Sequence, residues 1–133
     1  EADPTYDVKG IDAAIKLVIL SNTIWKRNVK LSDVTITGID MLTNDALRLA
    51  EEQHCTIRLI AEAIPEKGIL RVAPRILPRT HPLVVENTLN AITIDTDMAG
   101  EITLIGKGAG SRETASACIG DLLFIKDSHA RGN

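Results

Sequence analysis

The sequence predicts an α+β domain in which helices pack on one face of a mainly antiparallel or mixed β-sheet. Three observations lead to this prediction. Three segments are typical of helices, β-branched residues are concentrated in short runs, and four of those runs are joined in pairs by tight turns rather than by helices. A chain of 133 residues, of which 44% are hydrophobic, is long enough to bury one core.

Two helices and a short strand are predicted before the first hairpin. Pro4 and Gly10 punctuate an opening loop, after which apolar residues at helical spacing predict a helix over 11–25. A β-branched run then predicts a strand within 31–39. The next helix is predicted over 45–53, after polar residues that are suited to cap it.

Two hairpins are predicted in the rest of the chain. Residues 56–64 and 69–77 flank a Pro-Glu-Lys-Gly turn, and Pro74 indicates an edge strand or a bulge. The second hairpin pairs 91–96 with 101–105 across an Asp-Met-Ala-Gly turn. Hairpins of this kind favour an antiparallel sheet over alternating strand–helix units.

Charge and composition argue against nucleic-acid and membrane partners. The net charge is −3 at pH 7, and the lysines and arginines form no basic stripe, which disfavours a duplex DNA or RNA partner. With one Trp, one Tyr and one Phe, the chain has no stacking platform for single strands. No apolar segment is long enough to span a membrane, and no signal peptide is recognised, so we expect a cytoplasmic protein.

The two cysteines and the first residue of the chain carry separate expectations. Cys55 and Cys118 are too few for a disulfide framework and lack metal-ligand spacing, so both are predicted to be small buried apolar groups. No metal site is predicted. Because the chain does not begin with Met, we expect it to be a domain excised from a longer protein.

Asp12 and Lys16 are four residues apart, so both are predicted to emerge on one face of the first long helix. One interpretation is a solvated ion pair that stabilises the helix by about 0.2–0.5 kcal/mol. The other is a lysine, held by a carboxylate in a cleft, that exchanges a proton with a substrate oxygen. The residues alone leave both interpretations open.

Further carboxylates crowd the start of the same helix, at Glu1, Asp3 and Asp7. They either interact favourably with the positive end of the helix dipole or form a site for a cationic group such as a substrate ammonium.

A glycine-rich loop, 106–110, precedes the last predicted helix, 112–126. Backbone amides at such a strand-to-helix junction can approach a phosphate or a cofactor ring. The spacing matches neither the dinucleotide fingerprint nor a P-loop, so the loop taken alone favours a flexible turn that begins a helix over a cofactor site.

The order of residues at the start of the chain resembles the signature of homoserine dehydrogenases, Asp-Pro-x-x-Asp-hydrophobic-x-Gly-x-Asp-x-x-x-Lys. Every fixed position of that signature is present between Asp3 and Lys16. Later segments are similar to landmarks of the same family and arrive in the same order, at 77–78, 81–83, 90–91, 96–101, 108–110 and 113–117. The resemblance therefore covers nearly the whole chain.

This resemblance implies the C-terminal domain of homoserine dehydrogenase, with a fold like that of the glyceraldehyde-3-phosphate dehydrogenase group. The family interconverts L-aspartate 4-semialdehyde and L-homoserine with NAD or NADP, a step toward threonine, isoleucine and methionine. The resemblance implies that Lys16 is the catalytic acid/base, that Asp12 orients it and helps to bind substrate, and that Glu1 and Asp7 belong to the substrate site. A homodimer is also implied.

For the cofactor, the resemblance implies contacts from Gly110 and Thr114. It places most of the cofactor site in a nucleotide-binding domain that this chain lacks. Residues 1–133 are then the catalytic and dimerisation domain, and 106–133 are the loop and helix that contact the absent domain. We expect this chain alone to dimerise without turnover.

Two alternative functions remain open at this point. A related dehydrogenase acting on another semialdehyde through an acyl-enzyme needs a cysteine nucleophile. Cys118 falls inside the last predicted helix, which is a poor position for that role. The other alternative is a non-catalytic dimerisation module that retains the family sequence.

Overall fold

The computed structural model describes residues 5–131 of the chain, which divides into two compact units, Glu1–Arg79 and Thr80–Asn133. The elements of the first unit are α1 (Thr5–Val8), α2 (Ile11–Trp25), β1 (Thr35–Ile36), α3 (Asn44–Glu52), β2 (Cys55–Ile64) and β3 (Ile69–Pro78). Those of the second unit are β4 (Leu89–Thr96), β5 (Gly100–Lys107) and α4 (Ser111–Arg131). The predicted α+β class is confirmed.

The sheet of the first unit has the strand order β1-β3-β2, with β3 parallel to β1 and antiparallel to β2. The β2–β3 hairpin is the long predicted one, and its turn ends at Gly68, whose φ of +63° is a left-handed conformation that suits glycine. In register, Leu59 lies opposite Pro74 and Glu62 lies opposite Arg71. The sheet is thus mixed, which lies within the prediction.

The core of this unit lies between α2 and the hairpin. Helix α2 begins and ends at the predicted residues and buries Ala14, Leu17 and Ser21, which recur every three or four positions. Ala14 and Leu17 pack with Val34 and with Val72 of β3, which is fully buried. Burying a leucine side chain contributes about 1.5–3 kcal/mol, so this stripe decides which side of α2 faces the sheet.

Gly10 immediately precedes α2 and packs against the hairpin. Its φ is +77°, and a Cβ there would lie 3.0 Å from Val72 Cγ1 and 3.2 Å from Leu59 Cδ2. A side chain at this position would therefore meet both backbone strain and a filled core.

Two predicted elements of the first unit differ from the structure. The opening loop contains the short helix α1, and the strand predicted within 31–39 is reduced to Thr35–Ile36. Leu31–Asp33 forms a 3-10 turn, in which the Lys30 N–H donates to Asp33 Oδ2 at 2.9 Å. After Ile36, the Ile39 N–H donates to the Val8 carbonyl at 2.9 Å, so the chain leaves the sheet before the predicted run ends.

Pro74 was predicted to mark an edge strand or a bulge, but it lies within β3, the middle strand of the sheet. The β1 pairing reaches only Arg71 and Val72. Within the described residues, β3 therefore has a neighbouring strand at Pro74 only on the β2 side. A proline, which has no N–H to donate, is tolerated where the ladder is one-sided.

The second unit contains the predicted second hairpin, β4–β5, and the last helix. Its strands pair from Leu89–Lys107 to Thr96–Gly100, and its turn is fixed by the Thr96 hydroxyl, which donates to the Gly100 carbonyl at 2.9 Å. The final helix is five residues longer at its end than the predicted 112–126 and begins one residue earlier.

Helix α4 leaves its apolar side chains exposed in this chain, including those of Ile119, Leu122 and Phe124. Cys118 on the same helix is exposed and Cys55 is half-buried, so the prediction that both are buried is wrong. For Cys118 the reason is its position on a helix whose described side chains are almost all exposed. Among the described residues, no helix is long and apolar enough to cross a membrane.

One charged cluster lies across the β2–β3 hairpin. Arg71 Nε donates to Glu62 Oε2 at 2.5 Å, and Arg75 Nη2 donates to the same oxygen at 3.3 Å. The hydrogen bond from Arg71 is the main cause that lowers the pKa of Glu62 below its ordinary value of 4.5, against an opposing effect of burial. The ionised form of Glu62 is therefore favoured by folding.

We predict that Gly10→Ala destabilises the chain more than Gly68→Ala does. Both glycines have positive φ, which costs an alanine about 1 kcal/mol, but a Cβ at Gly68 would have open space around it. Overpacking at Gly10 should add about 1–3 kcal/mol. Urea unfolding of both variants measures the difference, and equal losses would show that the core tolerates the added methyl group.

We predict that Glu62→Gln lowers the free energy of unfolding by at most about 1 kcal/mol, because the pair is partly exposed. The loss should be complete above pH 4.5 and should shrink as the pH falls through the lowered pKa of the folded chain, where wild-type Glu62 is itself protonated. Urea unfolding at pH 7 and pH 3 tests this, with Glu66→Gln in the exposed hairpin turn as the control. A loss of unfolding free energy that is the same at both pH values would show that it does not depend on the ionisation of Glu62.

Candidate functional site

Asp12 and Lys16 form an ion pair on α2, with 2.7 Å between Asp12 Oδ2 and Lys16 Nζ. Their spacing places them on the side of the helix opposite the buried residues Ala14 and Leu17. The side chains are 45% and 62% exposed, respectively. Asp12 and Lys16 therefore share one face of α2, as predicted, and both side chains are accessible to a reactant in this chain.

The position of the pair is set at both ends of α2. At the start, the Gly10 carbonyl accepts the Ala14 N–H at 3.0 Å, which begins the helix directly against the core. At the end, the side chain of Asn22 donates to the Val29 carbonyl and accepts the Val29 N–H, at 3.0 and 2.7 Å. These contacts hold both ends of the helix and thereby fix the backbone position from which the Lys16 side chain extends.

Asp7 lies one turn before α2, on α1, and its side chain is exposed. Its carbonyl accepts the Gly10 N–H at 3.0 Å, so the backbone joins Asp7 to the first turn of α2 through a single residue. Glu1, the other carboxylate assigned to the substrate site, and Asp3 lie outside the described residues.

The electrostatics of this helix start suit a carboxylate. Gly10 caps α2 without a side-chain hydrogen bond, and Asp12 is the acidic residue of the first turn. A negative charge near these N–H groups interacts favourably with the helix dipole. The carboxylate of Asp12 contacts the amine of Lys16, an arrangement that can hold an amine in place while it gives or takes a proton.

The second predicted group lies in the other unit, where β5 leads into α4. Gly110 has a φ of +136°, and its carbonyl accepts the Thr114 N–H at 3.0 Å as the helix begins. Both residues are exposed. A Cβ on Gly110 would meet the carboxylate of Glu113, the end of a flexible side chain that can move aside, so it is the positive φ that favours glycine here.

An open concavity of about 480 Å³ adjoins this loop. It is lined by Lys107, Arg112, Glu113, Ser116 and Ala117. Lys107 Nζ lies 4.0 Å from Glu113 Oε1. Sequence reasoning assigned no role to these lining residues, although the basic side chains on both sides of the glycine loop were a usable signal.

The concavity beside the loop carries charge of both signs. Two cationic side chains, Lys107 and Arg112, and one carboxylate, Glu113, line it. The described residues include no cluster of three or more potential metal ligands.

Comparison with known proteins identifies the family signature along most of the chain. The family model described as homoserine dehydrogenase matches residues 1–123. A homoserine dehydrogenase of Methanocaldococcus jannaschii is 44% identical over 128 residues, which are 96% of this chain and 38% of that protein. An NAD(+)-dependent homoserine dehydrogenase of Pseudomonas canavaninivorans is 35% identical and covers 98% of this chain and 38% of that protein.

The solved structures that match this chain are also homoserine dehydrogenases. The crystal structure of a homoserine dehydrogenase from Thiobacillus denitrificans matches with a TM-score of 0.86 and 36% identity, over 98% of this chain and 31% of that one. A hyperthermophilic archaeal homoserine dehydrogenase mutant in complex with NADPH matches with a TM-score of 0.74 and 33% identity, over 92% of this chain and 34% of that one. The chain spans about a third of the length of these relatives.

We predict that Asp12→Asn lowers the free energy of unfolding by no more than about 1 kcal/mol, because it removes an exposed ion pair and a carboxylate near the start of the helix dipole. Urea unfolding of the variant measures this. A loss well above 1 kcal/mol would mean that Asp12 is needed for the fold, and activity lost in the variant could then not be assigned to chemistry.

Proposed function

Because the chain belongs to the homoserine dehydrogenase family, we propose that it is the catalytic and substrate-binding domain of an enzyme that interconverts L-homoserine and L-aspartate 4-semialdehyde. The observation that supports this most directly is the contact of 2.7 Å between Asp12 and Lys16, at the two last fixed positions of the family signature. The reaction would serve threonine, isoleucine and methionine biosynthesis in the cytoplasm.

In the proposed mechanism Lys16 moves the proton and Asp12 holds Lys16. When homoserine is oxidised, the neutral amine of Lys16 takes the proton of the substrate hydroxyl as hydride leaves the carbon that bears that hydroxyl. In the reverse direction the ammonium gives the proton to the oxygen on which negative charge develops. Positioned proton transfer of this kind contributes about 10²–10⁴-fold to a rate.

Substrate recognition is assigned to the carboxylates around the helix start. The substrate carries an ammonium group, and we propose that Glu1 binds this group. Asp7 and Asp12 complete the cluster of carboxylates around it. Support comes from the exposed position of Asp7 and from its backbone link through Gly10 to α2. Carboxylates near an ammonium favour its charged form and its retention.

Gly110 and Thr114 are proposed to contact NAD or NADP, which when bound accepts the hydride or supplies it. The bare backbone at Gly110 and the adjoining concavity support this assignment. One relative is named as NAD(+)-dependent and one matched structure holds NADPH, so either cofactor is compatible with the family.

The assembly of the whole protein is also a proposal. We assign a homodimer and a nucleotide-binding domain that covers α4. The exposed apolar side chains of α4, such as Leu122, Leu123 and Phe124, support a covering partner for that helix. Neither nucleic acid nor membrane is proposed as a partner.

The test of this function is an assay of the full-length gene product with L-homoserine and either NAD or NADP. We expect formation of the reduced cofactor, detected by its absorbance, that depends on homoserine. A protein that dimerises but gives no reduction with either cofactor would favour the non-catalytic alternative.

In the same protein, Lys16→Ala should lower kcat by about two orders of magnitude or more, because no other group is assigned to move the proton. Lys67→Ala removes an exposed lysine from the β2–β3 turn and should leave kcat unchanged. Steady-state kinetics of both variants provide the measurement. A near-normal kcat for Lys16→Ala would exclude it as the acid/base.

A further inference from the structure

The geometry points to Gly38 as a positioning residue for the Asp12–Lys16 pair, an inference that rests on the proposed function. Gly38 follows β1 and lies well away from α2 in sequence. We infer that its missing side chain lets the 37–40 segment lie against the α1–α2 junction and thereby fixes where α2 begins.

The approach at Gly38 is closer than any other residue would permit. A Cβ there would lie 2.8 Å from the Val8 carbonyl oxygen and 2.9 Å from Lys9 Cα, both of which are backbone atoms. Real Cβ atoms essentially never come within 3.0 Å of such atoms. The adjacent Ile39 N–H donates to the same Val8 oxygen at 2.9 Å, so the close approach is also a hydrogen bond.

The segment is held on its other side by the sheet. The Thr37 N–H donates to the Val72 carbonyl at 2.8 Å, and Val72 is fully buried in β3. Because that strand lies in the core, a side chain added at Gly38 would displace the α1–α2 junction more readily than the sheet.

A displacement at Val8 and Lys9 would pass directly to the catalytic pair. The Asp7 carbonyl binds the Gly10 N–H, and the Gly10 carbonyl binds the Ala14 N–H, each at 3.0 Å. Asp12 lies inside this hydrogen-bonded stretch. Movement of the junction would therefore shift Asp12 and, through it, the amine of Lys16.

The test compares Gly38→Ala with Gly68→Ala in the full-length protein. We expect Gly38→Ala to lower kcat for homoserine oxidation about 10- to 100-fold, as a small misplacement of reacting groups does, while the KM for the cofactor stays within about 2-fold. Gly68→Ala is strained by its positive φ but meets no atom within 4 Å, so it should lose stability and keep its kcat. Equal kcat values for the two variants would overturn the inference.

A second variant distinguishes backbone contact from a local side-chain clash. The Gly38 Cβ would also lie 2.7 Å from Asp40 Oδ1. If the backbone contact with Val8 and Lys9 is what matters, the double variant Gly38→Ala/Asp40→Ala stays as slow as the single one. Recovery of kcat in the double variant would overturn the inference.

Amide hydrogen exchange of the wild-type protein adds a measurement that needs neither turnover nor a folded variant. The Ile39 amide should exchange as slowly as that of Gly10, because the two take part in the same packed junction. Fast exchange at Ile39 with protection at Gly10 would overturn the inference. If the wild type shows this protection but does not oxidise homoserine, the proposed function has failed while the packed junction stands.

Discussion

The first unit depends on the close packing of the start of α2 against the β2–β3 hairpin. At Gly10 the backbone of the helix approaches Val72 and Leu59 so closely that a Cβ would fill the remaining space. Burial of Leu17 and Ala14 holds the helix there, and Gly10 makes the distance possible. This contact, together with the buried stripe, decides which side of α2 faces the sheet and therefore which side carries Asp12 and Lys16.

The catalytic proposal uses the side of α2 that the core does not. An exposed ion pair at this spacing contributes about 0.3–0.5 kcal/mol, whereas burying one leucine contributes about 1.5–3 kcal/mol. The fold is therefore decided by the apolar stripe, and Asp12 and Lys16 are left for chemistry at little cost to stability. Because the apolar stripe and the ion pair lie on opposite sides of α2, the pair faces solvent in this chain, which spans about a third of the length of its relatives.

The spacing of apolar residues and the turn residues were enough to predict most helices and strands. The features that could not be predicted depend on contacts between residues far apart in sequence. The bounds of α2 and the pairing of both hairpins followed from periodicity and turn residues, although the hairpin strands extend one or two residues beyond most of their predicted ends. The shared face of Asp12 and Lys16 followed from their spacing. The brevity of β1 could not be predicted, because the chain after Ile36 makes a hydrogen bond from the Ile39 N–H to the distant Val8 carbonyl. Nor could the role proposed for Gly38, because it depends on the approach of a backbone carbonyl that is distant in sequence.

The central claim is that α2 presents Lys16 to the oxygen of the substrate. A crystal structure of the full-length protein with L-homoserine bound tests it most directly. The account predicts Lys16 Nζ within hydrogen-bond distance of the substrate hydroxyl, about 3 Å, with Asp12 still in contact with the amine. Homoserine bound away from the start of α2, with Lys16 in open solvent, would contradict it.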